Sequence, residues 1–183
     1  MELIKEALTF DDVLLLPQYS SIIPANTNID VNLSNKINLK IPFLSSAMDT
    51  VTESKMAIAM AKNGGMGVIH RNLQIKKQCE HVLKVKKNRL KVGAAIGTSQ
   101  TELVRAKNLI DSGTDMLVID TAHGHSYNVL QMLNKIKKFS NKITICVGNI
   151  ATGDAAKQLY NSGADILKVG IGPGSICTTR MVA

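Results

Sequence analysis

The sequence is poor in aromatic residues, in cysteine and in long apolar runs. Aromatic residues make up 3% of the 183 residues and tryptophan is absent, so the stacking platforms of single-strand nucleic-acid binders are missing. Three cysteines without a secretory signal favour a reducing cytoplasm over a disulfide scaffold. No apolar run approaches the roughly 20 residues of a membrane span. We therefore expect a cytoplasmic protein that binds neither nucleic acid nor a membrane.

Positive charge is in excess, but it is spread along the chain. Lys and Arg total 22 against 14 Asp and Glu, which gives a formal net charge of +8. The lysines lie mostly in stretches typical of helices, which favours a phosphate-bearing small molecule as the anionic ligand. The length fits a single domain with one core.

A repeated pattern of helix end, glycine and apolar strand organises the chain. Residues 111–120 and 161–170 match closely, and residues 62–70 are a looser copy. Apolar strands are predicted near residues 40, 67, 92, 116, 143 and 166, with a helix in each interval. This alternation is typical of parallel βα units. The predicted fold class is α/β, a (β/α)8 TIM barrel with about six of its eight units present; an open doubly wound sheet is the alternative.

The first of these strands is expected over residues 39–45, after an ordered arm that ends at Pro17. A closed barrel of eight units usually needs about 250 residues. We therefore expect the chain to be a fragment of a longer protein.

The most distinctive stretch, residues 170–180, follows the last predicted strand. Three glycines at alternate positions permit backbone conformations closed to other residues and let a ligand approach the main chain. Cys177 lies in this stretch with Lys168 and Arg180 nearby, and neighbouring cations favour the nucleophilic thiolate. The residues alone leave two interpretations open: a reactive sulfur on a ligand-binding turn, or a buried, inert cysteine.

Polar residues follow nearly every predicted strand, at the end where (β/α)8 enzymes hold their active sites. Asp120 could bind a ribose hydroxyl, or it could cap the helix that follows Ser126. Asn149 could donate to a ligand amide, or simply favour its turn. His123 and His125 suit hydrogen bonding within a turn better than metal binding.

Together these motifs resemble the inosine-5′-monophosphate dehydrogenase family. The match is closest in Gly-Ile-Gly-Pro-Gly-Ser-Ile-Cys-Thr-Thr-Arg at residues 170–180. Supporting matches lie at residues 8–13, 45–53, 89–95, 120–125 and 147–149. The sister guanosine-5′-monophosphate reductase family shares the cysteine loop, but it typically has Ala-Asn-Met-Asp where this chain has Ser-Ser-Ala-Met-Asp.

The resemblance implies NAD-dependent oxidation of inosine monophosphate to xanthosine monophosphate in guanine nucleotide biosynthesis. It implies that Cys177 attacks C2 of the purine, that hydride passes to NAD, and that the covalent thioimidate is hydrolysed, with Thr179 beside the reacting centre. The implied substrate-binding residues are Ser46, Met48, Lys168 and Ser175. The implied NAD-binding residues are Asp120, Thr121, Ala122, Asn149, Gly170, Ile171 and Gly172. The implied potassium ligands are carbonyls of Gly172, Gly174 and Cys177.

The resemblance also implies a homotetramer and a missing regulatory unit. The pair of CBS modules that the family usually carries is absent near residues 88–89, so residues 1–183 are expected to form a partial catalytic domain. In the family, the portion after the cysteine loop supplies a mobile flap and the arginine that activates water. The resemblance therefore implies that this chain alone turns over no substrate. Guanosine monophosphate reduction and a non-catalytic nucleotide-binding module are the alternative functions.

Overall fold

The computed structural model describes residue 8, residues 12–172, residue 174 and residues 177–179. Within these residues, eight strands and five α-helices follow one another along the chain. The strands are β1 (Val31–Ser34), β2 (Ile37–Leu39), β3 (Leu44–Ser45), β4 (Met66–Ile69), β5 (Val92–Ile96), β6 (Met116–Asp120), β7 (Thr144–Ile150) and β8 (Ile166–Val169). The helices are α1 (Ser54–Lys62), α2 (Ile75–Lys87), α3 (Gln100–Asp111), α4 (Tyr127–Phe139) and α5 (Gly153–Asn161).

Strands β3 to β8 form one curled parallel sheet in which the strand order follows the chain order. Each strand is joined to the next through a helix on the outer face. Apolar side chains cover both faces: Leu117 and Ile119 pack against the helices, whereas Met116 and Val118 line the inside of the curl. This is the arrangement of successive units in a (β/α)8 barrel. The predicted fold class is therefore confirmed, with six barrel strands present.

The repeated sequence pattern corresponds to a repeated turn from helix to strand. Gly113 and Gly163 hold this turn with φ of 85° and 95°, a region that favours glycine. Two residues later, the carboxylates of Asp115 and Asp165 accept a backbone N–H from the start of the preceding strand, at 2.9 and 2.8 Å. Each carboxylate also pairs with a lysine from the helix that leads into that strand. The repeat therefore fixes how neighbouring strands begin.

An antiparallel hairpin, β1 and β2, precedes the sheet and covers the inside of its curl at the amino ends of the strands. Leu39 is buried there, and the Ser34 hydroxyl lies 3.3 Å from the Thr144 hydroxyl at the start of β7. The prediction of one strand over residues 39–45 is therefore wrong. Leu39 ends β2, and only the last two residues of that range pair with β4. Pro42 lacks the N–H that a continuous ladder would need, so the barrel strand begins after it.

The predicted arm before the hairpin is extended and exposed where it is described. Leu14 and Leu15 are each 97% exposed, and Leu16 precedes Pro17 with 80% exposed. A single 3-10 turn, Pro24–Asn26, interrupts the extended chain before β1. No helix in the described part of the chain has the length and apolar character needed to cross a membrane.

Candidate active site at the carboxyl ends of the strands

The carboxyl ends of β6, β7 and β8 and the loop after β8 enclose a cavity of about 410 Å³. We call it the main cavity. It is lined by Arg71, Asp120, Thr121, Ala122, Asn149, Lys168, Ile171, Gly172, Cys177 and Thr179. Parallel strands bring their carboxyl ends to the same edge of the sheet, so residues far apart in the chain meet there. All of them except Arg71 were predicted as site residues from the sequence.

Cys177 and Thr179 form one wall of the main cavity, and both are half-buried. The Cys177 thiol donates to the Thr179 hydroxyl over an Sγ to Oγ1 distance of 3.4 Å. The backbone N–H of Cys177 donates to the Gly174 carbonyl at 3.0 Å and closes the turn before it. The sulfur thus lies on a half-buried turn that borders the main cavity.

Cys146 provides the contrast within the same chain. It lies in β7, faces the inside of the curl and is 4% exposed. Burial raises the pKa of its thiol to about 12, which outweighs the lowering effect of Lys168. Because the thiolate is the nucleophile, this burial disfavours the reactive form of Cys146 at neutral pH.

An ion pair crosses the mouth of the sheet between β6 and β8. Lys168 Nζ lies 3.0 Å from Asp120 Oδ1, and Gly148 of β7 lies between them in register with both. A Cβ at Gly148 would lie 2.6 Å from Lys168 Cβ, so the absent side chain is what lets the lysine cross. The alternative role of Asp120 as a helix cap is not observed: Ser126 occupies the cap position of α4, and the carboxylate is turned toward Lys168.

A hydrogen-bond network fixes the loops beside this ion pair. The Thr121 hydroxyl donates to the Gly148 carbonyl at 2.9 Å, so it meets a ligand as an acceptor. One side-chain N–H of Asn149 donates to the Gly170 carbonyl at 2.7 Å and holds the loop after β8. That loop turns sharply, because Gly170 and Gly172 adopt φ of 115° and 55°. The Gly148–Asn149 peptide bond is cis.

The predicted potassium ligands are main-chain carbonyl oxygens, which suit a hard cation. Gly172 and Cys177 line the main cavity, and the Gly174 carbonyl keeps a second lone pair after accepting the Cys177 N–H. The oxygen donor set therefore fits potassium in kind. Among the described residues, no group of three or more His, Cys, Asp or Glu could hold a metal ion. His125 instead hydrogen-bonds to Gln158, with 2.6 Å between Nε2 and Oε1.

The loop between β3 and α1 carries Ser46 and Met48, and it borders the main cavity without lining it. Ser46 lines a neighbouring cavity of about 340 Å³ that it shares with Lys168. Met48 lines another of about 400 Å³ that it shares with Asp120. These two residues thus approach the site from the side of the first barrel strands. Ser175 lies outside the described residues.

Arg71 is the site residue that the sequence analysis did not assign. It follows β4 and lines both the main cavity and the cavity of Met48. Its guanidinium lies close to Gly97, where Nη1 is 3.3 Å from the position of an added Cβ. Among the described residues, no carboxylate lies within ion-pair distance of it. The strand-end position that it shares with Asp120 was the signal that could have found it.

The sequence of the chain is similar to those of a known protein family. A family model described as IMP dehydrogenase / GMP reductase domain matches residues 7–183. Similar proteins include inosine-5′-monophosphate dehydrogenases from Cryptosporidium parvum (43% identical), Borreliella burgdorferi (42%) and Staphylococcus aureus (34%). Each match covers 98% of this chain, and it covers 55%, 57% and 63% of the respective relative. The chain thus spans a little over half the length of the curated relatives that it matches.

Proposed function

The chain belongs to the IMP dehydrogenase / GMP reductase family, and on that premise we propose that its main cavity serves the oxidation of inosine monophosphate to xanthosine monophosphate with NAD. One observation carries the proposal. A single cavity of about 410 Å³ joins the accessible Cys177 and Thr179 to the polar strand ends at Asp120, Thr121 and Asn149. A nucleophile and a polar nucleotide-binding surface in one cavity are what such a reaction requires.

In this mechanism the Cys177 thiolate adds to C2 of the purine. The C–H bond at C2 then breaks, its electron pair leaves as hydride, and Sγ remains bound to C2 as a thioimidate. Water hydrolyses that bond, which releases xanthosine monophosphate and restores the thiol. The Thr179 hydroxyl, 3.4 Å from Sγ, can donate to the thiolate and hold it toward the ring. A nicotinamide bound in the main cavity would accept the hydride.

Two groups of residues would hold the nucleotides and the cation. The Asp120 carboxylate can accept ribose hydroxyls on the face that Lys168 leaves open, and the Thr121 hydroxyl offers a second acceptor. Carbonyls of Gly172 and Cys177, with that of Gly174, would hold potassium. A cation there would restrain the cysteine loop through its main chain and leave the thiol to react.

Covalent trapping with 6-chloropurine ribotide tests the nucleophile. The reagent loses chloride to an attacking thiolate, so we expect one stable adduct on wild-type protein by intact-mass spectrometry and none on Cys177→Ala. Cys79→Ala, which removes another half-buried cysteine from α2, is the matched control and keeps the adduct. An adduct that persists in Cys177→Ala contradicts the proposal.

The sister reaction, reductive deamination of guanosine monophosphate, is distinguished by its cofactor and product. NADPH oxidation with ammonia release would favour it, whereas NADH formation with inosine monophosphate favours the dehydrogenase. We expect the 183-residue chain alone to form the covalent adduct without sustained turnover. Steady NADH release by this chain from inosine monophosphate contradicts that expectation.

We also propose that nucleotide regulation through CBS modules is missing. Helix α2 passes into β5 through residues 88–91, a turn in which Arg89 adopts φ of 57°. A turn of four residues has no room for a regulatory module. Calorimetric titration with ATP and GTP should show no binding apart from competition with the substrate nucleotide, and a second saturable site would refute this.

Self-association is proposed as well, because the extended arm exposes a run of apolar side chains, Leu14, Leu15 and Leu16. Such a patch on a soluble chain commonly marks an interface. Sedimentation analysis should give an oligomer for wild type and a smaller species for Leu15→Ser. A wild-type monomer at high concentration contradicts the proposal.

A further inference from the structure

The carboxylate of Glu53 lies between two buried histidine rings at the end of the loop that joins β3 to α1. Its Oε1 is 3.7 Å from His70 Nε2 and its Oε2 is 3.6 Å from His81 Nε2. The histidine side chains are 4% and 6% exposed, whereas that of Glu53 is 49% exposed. Both separations are a few tenths of an ångström longer than a hydrogen bond, so a small rotation of the carboxylate closes either one.

The hydrogen bonding of the rings fixes where one proton lies. Two groups of Ser54 lie against His81 Nδ1: its backbone N–H donates to that nitrogen at 3.2 Å, and its hydroxyl lies 3.0 Å away. An N–H can only donate, so Nδ1 carries a lone pair, and the hydroxyl, which can donate or accept, also donates to it. The proton of the neutral ring is therefore on Nε2, the atom that faces Glu53. Both ring nitrogens of His70 and Nε2 of His81 are buried and have no hydrogen-bond partner in the described structure. An acceptor shared by the two Nε2–H groups removes two of these three deficits.

The same geometry argues for hydrogen bonding over metal ligation. A metal ion would need a lone pair on the nitrogen of His81 that faces Glu53, and the N–H of Ser54 leaves a proton there instead. The cluster is thus arranged as two donors around one carboxylate.

Glu53 also ends the loop that carries the substrate-facing residues. It occupies the cap position of α1, so any shift of its backbone moves the residues before it. In that loop the buried Thr52 hydroxyl donates to the Ser46 carbonyl at 2.6 Å. The N–H groups of Val51 and Thr52 both donate to the Met48 carbonyl at 3.0 Å. The loop that presents Ser46 and Met48 is thus closed by its own hydrogen bonds and ends at Glu53, where its position relative to α1 is set.

We propose that Glu53 is a positioning residue: held by His70 and His81, its carboxylate sets the conformation of residues 45–52, and through that loop the affinity for the purine nucleotide. The effect on affinity rests on the proposed function. The effect on the loop does not, and it is tested separately.

Nitrogen NMR of the imidazole rings tests the arrangement. We expect both rings of wild-type protein to carry the proton on Nε2. In Glu53→Gln the amide can accept from only one ring and must donate to the other. Because Ser54 fixes the tautomer of His81, His70 is the ring that switches to the Nδ1–H form. A wild-type His70 with its proton on Nδ1, or no switch in Glu53→Gln, overturns the proposal.

Amide hydrogen exchange tests the loop without any ligand. In Glu53→Ala we expect the amides of Val51 and Thr52 to exchange about tenfold faster, while amides of β6 keep their wild-type rates. Glu80→Ala removes an exposed carboxylate of α2 that pairs with Lys77 and should change neither. Unchanged exchange in the Glu53→Ala loop, or equal acceleration in β6, refutes a local positioning role.

Nucleotide affinity completes the test. For inosine monophosphate we expect Glu53→Ala to raise Kd about tenfold and Glu53→Gln to restore part of the loss, as a charge-assisted contact replaced by a neutral one should. An unchanged Kd in Glu53→Ala overturns the link to the ligand. If the wild-type protein binds no nucleotide, the proposed function fails, and the tautomer and exchange measurements still decide whether Glu53 anchors the loop.

Discussion

Gly148 is the position where one added methyl group should disturb the candidate site most directly. Its Cβ would lie 2.6 Å from Lys168 Cβ, 2.7 Å from the Lys168 carbonyl oxygen and 3.3 Å from the carbonyl carbon. Two of these three atoms belong to the backbone of β8, so a change of rotamer cannot relieve the clash. Gly148→Ala must therefore push β7 and β8 apart beneath the ion pair of Lys168 and Asp120.

The size of the effect follows from the overlap. Carbon atoms in contact normally lie about 3.5–4.0 Å apart, so the two strands must separate by about 1 Å. Overpacking of this kind typically costs about 1–3 kcal/mol. The lower entropy of the unfolded alanine chain returns about 0.4–1 kcal/mol of that. For a chain of this size each kcal/mol shifts Tm by about 2–4 °C, and we expect Gly148→Ala to lower Tm by several degrees.

Thermal unfolding followed by circular dichroism measures this shift, and Gly153→Ala is the matched control. Gly153 lies in the first turn of α5, where an added Cβ meets no atom within 4 Å. The same chemical change should therefore stabilise the protein by about 0.4–1 kcal/mol. A Tm for Gly148→Ala at or above that of Gly153→Ala would refute the close approach of β7 and β8.

Three further predictions concern single side chains. Thr52→Val keeps the shape but removes the hydroxyl that donates to the Ser46 carbonyl, so denaturant titration should show unfolding free energy lower by about 1–3 kcal/mol; no change argues against that bond. Burial lowers the pKa of His81 below its usual 6.5. Below pH 6.5 the unfolded chain therefore gains a proton that the folded chain resists, and the free energy of unfolding decreases as the pH is lowered. His81→Asn should flatten this slope, and an equal slope in both proteins contradicts it. Iodoacetamide at neutral pH should modify Cys177 well before Cys146, as peptide mass mapping of timed samples can show; equal rates would contradict the burial of Cys146.

Most of the barrel could be predicted because its signals are local. Each of the strands that begin near residues 116 and 166 lies within ten residues of the Ser-Gly turn before it. Strands β6 and β8 begin where this pattern predicts. The first strand could not be predicted in this way. Residues 37–45 carry an apolar side chain at every second position from Ile37 to Phe43, and their division between hairpin and barrel depends on pairing with β1 and β4.

Part of the candidate site could likewise be predicted from local sequence, and part of it depends on how the strands pair. Residues at the carboxyl ends of strands, such as Asp120 of β6 and Asn149 of β7, were recognised because a parallel sheet gathers such positions at one edge. The side chains and carbonyls that these residues contact could not be predicted, because those contacts depend on how neighbouring strands are aligned in the sheet. The lysine that pairs with Asp120 comes from 48 residues further along the chain. Arg71 also follows a predicted strand, but its position there does not by itself separate it from other exposed arginines until the strand ends are brought together.

Two glycines show why register carries information that local sequence does not. Gly148 precedes Asn149, Gly124 lies between His123 and His125, and a turn preference would account for either glycine. In the folded chain an added Cβ at Gly124 would lie 2.8 Å from the Asn149 carbonyl oxygen, and one at Gly148 would strike Lys168. Both positions are small because another segment passes over them. The close packing of segments around the site thus depends on glycines, which have no side chain, as well as on the polar groups that line the cavity.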